Sequence, residues 1–150
     1  MPLLPIESST TLSSHPAFVP LIVVAAVFIA LAALFHVYVF VLESVLWARP
    51  TTWKVFGIRS QDEANTIRPM ALNQGFYNLF LAIGAVLGLL TLPSNLGAGS
   101  ALVFLSTGSM LAAAVVLLIS SKGANARAAI LQGALPLLAI VLLIAALLAH

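Results

Sequence analysis

Long uninterrupted runs of apolar residues dominate the pattern of hydrophobic and polar positions along this chain. Four of these runs reach or exceed the ~20 residues that a helix needs to cross the hydrocarbon core of a bilayer. Isolated strands would leave backbone groups unpaired in lipid, and the alternating segments of a closed barrel are absent. The pattern therefore predicts an all-α fold, a four-helix transmembrane bundle. The predicted helices cover about residues 18–47, 69–92, 101–120 and 126–149.

The segment before the first apolar run is polar and rich in serine. It lacks the basic n-region of a secretory signal, and the apolar run that follows is too long for an h-region. We therefore expect the first helix to be retained in the mature protein. The predicted division is a tail, residues 1–16, and a transmembrane domain, residues 17–150.

The basic residues lie in two connectors, and this distribution predicts the orientation. The connector between helices one and two holds Arg49, Lys54, Arg59 and Arg68, and the one between helices three and four holds Lys122 and Arg127. The positive-inside rule places both connectors in the cytosol and both termini on the non-cytosolic side. The first connector also carries aromatic and aliphatic residues, which are consistent with a short interfacial helix. The alternative is a solvated connector whose apolar residues anchor it to the membrane. The pattern does not distinguish the endoplasmic reticulum from the plasma membrane.

The amino-acid composition mainly excludes classes of protein and of chemistry. With 62% hydrophobic and 7% charged residues, most of the surface must face lipid. The chain has no cysteine, which excludes disulfides and thiolate catalysis. A net charge of +2 divided between two connectors is no nucleic-acid patch, so we predict no nucleic-acid partner. There is no Gly-rich phosphate loop or dinucleotide fingerprint, so no organic cofactor is predicted.

A histidine and a glutamate interrupt the first apolar run. A charged side chain at the centre of a spanning helix costs ~2.5 kcal/mol or more, so His36 and Glu43 are candidates for a functional role. They are seven residues apart, which is two helical turns and nearly one face. Trp47 continues the same stripe toward the end of the helix.

Polar residues of other helices are predicted to lie at the same depth. At ~1.5 Å per residue, Glu43 lies roughly 7 Å and His36 roughly 18 Å from the connector end of the first helix. Five side chains of helices two and four fall at this level: Asn73, Gln74, Tyr77, Asn78 and Gln132. We therefore expect a polar pocket between the helices. The alternative for each amide is a hydrogen bond that serves packing alone, at ~0.6 kcal/mol on average.

The polar residues of helix two cannot all face the pocket. Gln74 and Asn78 share one face at a spacing of four residues, and Asn73 and Tyr77 share another. One pair is expected to face the pocket and the other a neighbouring helix or subunit.

Four segments carry a more specific pattern: HVYVFVLESVLW, KVFG, ALNQGFYNLFLAIG and ILQGALPLLA. In these segments the chain resembles a family of small membrane proteins known as domain of unknown function 1304, over roughly residues 20–148. The resemblance implies a four-helix membrane protein with a polar signature and no assigned reaction. The family pattern falls on His36, Glu43, Trp47, Asn73, Gln74, Gly75, Tyr77, Asn78, Gln132, Gly133 and Pro136.

The favoured hypothesis is an enzyme that transfers protons on a lipophilic small molecule, by isomerisation, epoxide opening or cyclisation. His36 and Glu43 would be the catalytic acid and base. The substrate-binding residues would be Asn73, Gln74, Tyr77, Asn78, Gln132 and Trp47.

Three other functions stay open. A small proton-coupled transporter or a lipid-binding membrane protein could use the same polar group, although the inverted repeats common in transporters are not visible. A metal site is disfavoured, because one histidine and one carboxylate make a thin ligand set. The last alternative is a structural role in a larger complex. The sequence also leaves open whether the chain forms a homo-oligomer.

Overall fold

The described residues form a bundle of long helices and contain no strand. The computed structural model describes residues 16–150, so all of the predicted tail except Pro16 lies outside it. Four helices are long and apolar enough to cross a membrane, which confirms the predicted fold class. The helices are α1 (Phe18–Phe40, continued by a π-helical turn, Val41–Val45), α2 (Pro50–Trp53, followed by a 3-10 turn, Lys54–Phe56), α3 (Gln61–Thr91), α4 (Leu96–Ser120) and α5 (Ala126–Leu148).

The second spanning helix begins eight residues before the predicted start, at Gln61 rather than near residue 69. Ser60 caps this helix, because its hydroxyl accepts a hydrogen bond from the backbone N–H of Glu63 at 3.1 Å. The Glu63 carboxylate in turn accepts from the backbone N–H of Arg59 at 3.0 Å. Helix α3 therefore starts at a polar capping motif, before the apolar run on which the prediction relied.

The third spanning helix also begins earlier than predicted, at Leu96 rather than at residue 101. Its cap is Asn95, whose side-chain oxygen accepts a hydrogen bond from the backbone N–H of Ala98 at 2.9 Å. The turn between α3 and α4 is accordingly only four residues long, from Leu92 to Asn95.

The first spanning helix changes its winding near its end. The prediction extended one helix to residue 47, but α1 ends at Phe40 and a π-helical turn follows over Val41–Val45. In that turn the backbone N–H of Leu46 donates to the carbonyl of Val41, five residues back, at 2.9 Å. A turn closed by i→i+5 bonds holds more residues than an α-helical turn, so the side chains beyond Phe40 are rotated relative to those before it.

The four spanning helices pack as a ring in the order α1, α3, α4, α5, with α5 closing against α1. This is the up-down arrangement expected of a bundle with short connectors. Alanine contributes much of the core, and such small side chains let membrane helices approach closely. The buried core includes Ala25, Ile29, Ala32, Ala82, Ala85, Val103, Met110, Ala139 and Leu143.

Close packing of α3 against α4 depends on two glycines. A Cβ atom on Gly88 would lie 2.8 Å from the backbone nitrogen of Val103, and one on Gly99 would lie 2.6 Å from the backbone nitrogen of Leu92. Backbone atoms cannot move aside like the end of a flexible side chain, so any larger residue would force these helices apart.

Gly99→Ala is therefore expected to lower the free energy of unfolding by on the order of 1–3 kcal/mol, through overpacking. Gly108→Ala is the matched control in the same helix, since a Cβ there would meet nothing within 4 Å. The control should be neutral or slightly stabilising, because alanine has the higher helix propensity. Thermal unfolding in detergent micelles measures both, and equal losses would contradict the packing argument.

Candidate functional site

A cavity of about 610 Å³ lies within the half of the bundle that carries the basic connectors. All four spanning helices contribute to its wall, and the two connectors contribute Val55, Phe56 and Asn125. Most of the wall is apolar. The polar side chains on it are Tyr38, Glu43, Gln74, Tyr77, Asn78, Asn125 and Gln132. Apolar walls with a few polar groups, at a volume of several hundred Å³, are typical of small-molecule sites.

Glu43 is the one acidic or basic side chain on this wall. It lies in the π-helical turn and is half-buried. Its carboxyl oxygen Oε2 accepts a hydrogen bond from the amide nitrogen of Asn78 at 2.9 Å, across the α1–α3 contact. The same amide group donates to the backbone carbonyl of Gln74 at 3.1 Å. The amide of Asn78 is thus held between its own helix and the carboxyl group.

Gly75 allows α3 to approach the π-helical turn closely enough for this hydrogen bond. A Cβ on Gly75 would collide with the hydroxyl oxygen of Ser44 and would lie 3.2 Å from the Cβ of Glu43 and 3.3 Å from the carbonyl oxygen of Phe40. Ser44 also donates a hydrogen bond to the backbone carbonyl of Leu72 at 3.3 Å. Because glycine lacks a Cβ, the two backbones can meet here.

Helix α3 presents three of its four predicted site residues to the cavity. Gln74, Tyr77 and Asn78 line the wall, whereas Asn73 is exposed and does not. The prediction that one i, i+4 pair would face the pocket and the other pair would not is therefore only partly met, because Tyr77 lines the cavity together with Gln74 and Asn78. Gln132 of α5 lines the opposite part of the wall, as expected from its depth.

His36 lies in the core of the bundle and does not line the cavity, although its ring centroid is 5.8 Å from that of the wall residue Phe35. Its side chain is 0% exposed, and its Nδ1 donates to the carbonyl of Ala32 at 2.9 Å. Its other ring nitrogen, Nε2, has no hydrogen-bond partner. The prediction that His36 and Glu43 share a face assumed continuous α-helical spacing, whereas Glu43 lies in the π-helical turn, where the spacing differs.

The comparison with protein families agrees with the motifs of the sequence. The chain matches the family described as protein of unknown function (DUF1304) over residues 30–144. The chain belongs to this family. No curated protein and no solved structure matches it. Every residue of the cavity wall falls within the matched range.

Trp47, a predicted substrate-binding residue, supports the connector of this DUF1304 protein and does not line the cavity. Its indole is 5% exposed, and Nε1 donates to the backbone carbonyl of Ala64 at 2.9 Å. It packs in a small cluster with Trp53, Ala64 and Ala71, separate from the main core. The indole ring also lies 5.5 Å from the ring of Phe56, measured between centroids.

Three residues of the connectors also line the cavity, and the estimates of depth along the helices did not include them. Val55 and Phe56, which follow the short helix α2, reach the cavity, as does Asn125 before α5. For Val55 and Phe56, the sequence did contain a sign of this role: aromatic and aliphatic residues in a polar segment indicate burial or contact with the membrane. Asn125 could not be recognised in this way, because other residues of its turn are also polar.

Trp47→Phe is expected to lower the free energy of unfolding by about 1–3 kcal/mol, because the carbonyl of Ala64 would lose its partner. Trp53→Phe is the matched control: Trp53 is also buried, but its indole nitrogen has no hydrogen-bond partner. Chemical unfolding of the two purified variants measures the difference. A loss in Trp53→Phe as large as that in Trp47→Phe would show that the hydrogen bond is unimportant.

Proposed function

We propose that this membrane protein is an enzyme that binds a lipophilic small molecule in the main cavity and transfers a proton at Glu43. The observation that carries the proposal is the placement of one carboxyl group, held by Asn78, in a largely apolar cavity of about 610 Å³. A carboxyl group inside a spanning helix is costly, so a functional reason for it is the default expectation.

The remaining polar groups suit the orientation of a substrate. Gln74 and Gln132 can donate to an oxygen atom of a bound molecule, and the hydroxyls of Tyr38 and Tyr77 can donate or accept. Such groups stabilise charge that develops as a proton moves. The reaction class that fits is isomerisation, epoxide opening or cyclisation, each of which can begin with one proton transfer.

We assign the proton transfer to Glu43 without His36. A general acid or base must lie within hydrogen-bond reach of the atom that it protonates or deprotonates, and His36 is fully buried and does not line the wall. A tyrosine or a water molecule would be the second proton carrier.

The distribution of basic residues supports an orientation for the cavity. Lysine and arginine are concentrated in the connectors at the cavity end, so we infer that this end faces the cytosol and that both termini lie on the other side. A substrate could then enter from the cytosolic leaflet.

Proton-coupled transport or binding of a lipophilic cation is the second candidate. It is favoured by the wall itself, which combines the carboxyl group of Glu43 with the aromatic rings of Phe35, Tyr38, Phe56 and Tyr77 and contains no basic side chain. Aromatic faces attract cations, and one carboxyl group can exchange a proton for a cationic ligand. Tyr38 and Tyr77 are 55% and 53% exposed, so the cavity is open to its surroundings.

Glu43→Gln is expected to slow the reaction by about 10²–10⁴-fold while the protein remains folded, because glutamine keeps the shape but cannot transfer the proton. Glu63→Gln makes the same chemical change at an exposed position outside the cavity and should have no effect. The measurement is mass spectrometry of lipid extracts from membranes that carry each form, after incubation in D₂O. In wild-type membranes a compound should change its isomer distribution or gain deuterium.

Conversion that persists in Glu43→Gln membranes would refute the assignment of Glu43. A compound that copurifies with the wild-type protein and not with Glu43→Gln, without any conversion, would favour the second candidate.

A further inference from the structure

A second concavity, which we call the α4–α5 groove, lies on the outer face of the bundle and has a volume of about 250 Å³. Only apolar residues line it. Its floor is formed by the buried small residues Ala114, Ala129 and Gly133, and its sides include Ile130, which is 64% exposed, and Leu137, which is 47% exposed. The groove therefore opens toward the lipid and shares no residue with the main cavity.

Small residues at the helix contact produce the groove. A Cβ on Gly133 would lie 3.0 Å from the Cβ of Ala114, so α4 and α5 approach closely at this point because position 133 is a glycine. The larger side chains of Leu118 and Ile130 also line the groove. In a bilayer, a narrow apolar channel that faces lipid is filled by a hydrocarbon chain, because a void forfeits dispersion contacts.

The turn at the end of the groove is positively charged. Lys122 and Arg127 lie in and just after it, both side chains are exposed, and no aspartate or glutamate follows Glu63 in the sequence. Arg127 and the groove residue Ala134 are seven residues apart, two turns along one face of α5. The charge of Arg127 is therefore on the side of α5 that the groove occupies.

Lys122 holds a backbone conformation that favours glycine. Its φ angle is 50°, and it occupies the C′ position of a Schellman motif that ends α4. The backbone N–H of Gly123 donates to Leu118 and that of Lys122 to Ile119, both at 3.0 Å. A bulky residue at such a position is uncommon and stores strain, which points to a use for its side chain.

We propose that the α4–α5 groove and its basic turn bind one anionic phospholipid, with an acyl chain in the groove and the phosphate group at Lys122 and Arg127. Apolar lining, lateral exposure and a cationic end match the chemistry of such a lipid. This proposal does not rest on the proposed enzymatic function, because the two sites have no residue in common.

The test is lipid titration of the full chain, delipidated in detergent, with native mass spectrometry as the readout. The probes are phosphatidylglycerol and phosphatidylcholine with identical acyl chains. The wild-type protein should bind one phosphatidylglycerol molecule more tightly than phosphatidylcholine. Lys122→Gly and Arg127→Gln should each weaken phosphatidylglycerol binding by on the order of fivefold, the effect expected for one cation near a phosphate group. Arg59→Gln removes a cation of the other connector and is the matched control.

Two further measurements separate the site from general folding effects. Lys122→Gly should have an unchanged or higher Tm in phosphatidylcholine, since glycine relieves the strain at this position. Ala134→Leu, which fills the groove, should weaken both lipids, whereas Ala112→Leu, at an exposed position outside both concavities, should weaken neither.

Equal affinity for the two lipids, or equal effects of Arg127→Gln and Arg59→Gln, would overturn the proposal. So would a dimer that Ala134→Leu dissociates while lipid binding is unchanged, because the groove would then be an interface with a second copy.

Discussion

The hydrogen bond from Asn78 to Glu43 is the contact on which the candidate site depends. A carboxyl group within a spanning helix is tolerated only when other polar groups replace the water that it loses, and at 2.9 Å the Asn78 amide supplies one such group. That amide is itself fixed by the carbonyl of Gln74, so the carboxyl group has a defined position on the cavity wall. Without this contact, the carboxyl group would lose the side-chain partner that fixes its position on the cavity wall.

Two features of the backbone make this contact geometrically possible. The absence of a side chain at Gly75 lets α3 lie against the end of α1, and the π-helical turn carries Glu43 out of the α-helical phase of His36. His36 bonds one ring nitrogen to its own helix and leaves the other unpaired in the core. π-helical turns occur frequently at functional sites because they redirect individual side chains in this way.

Long-range features were predictable from the sequence, while local departures from regular geometry were not. The length of the apolar runs was sufficient for the fold class, and counting residues along antiparallel helices brought Glu43, Gln74, Asn78 and Gln132 to one level. The helix starts were misplaced because polar caps such as Ser60 precede the apolar residues. Whether His36 and Asn73 line the cavity depended on the rotation of each helix about its axis. That rotation is determined by packing, by the π-helical turn and by Gly75, none of which a hydropathy pattern contains.

Trp47 supports the cavity wall indirectly, through the first connector, although it does not line the cavity. Trp47 donates to the carbonyl of Ala64, and this bond ties the end of the first spanning helix to the first turn of α3. The indole also packs against Phe56, which does line the cavity, so the position of the Phe56 ring depends on the position of Trp47. A binding wall built partly from a connector needs such an anchor, because a segment without long helices has few contacts of its own. The first connector therefore contributes to the wall beside the spanning helices, and the buried hydrogen bond of Trp47 together with its packing against α3 positions it.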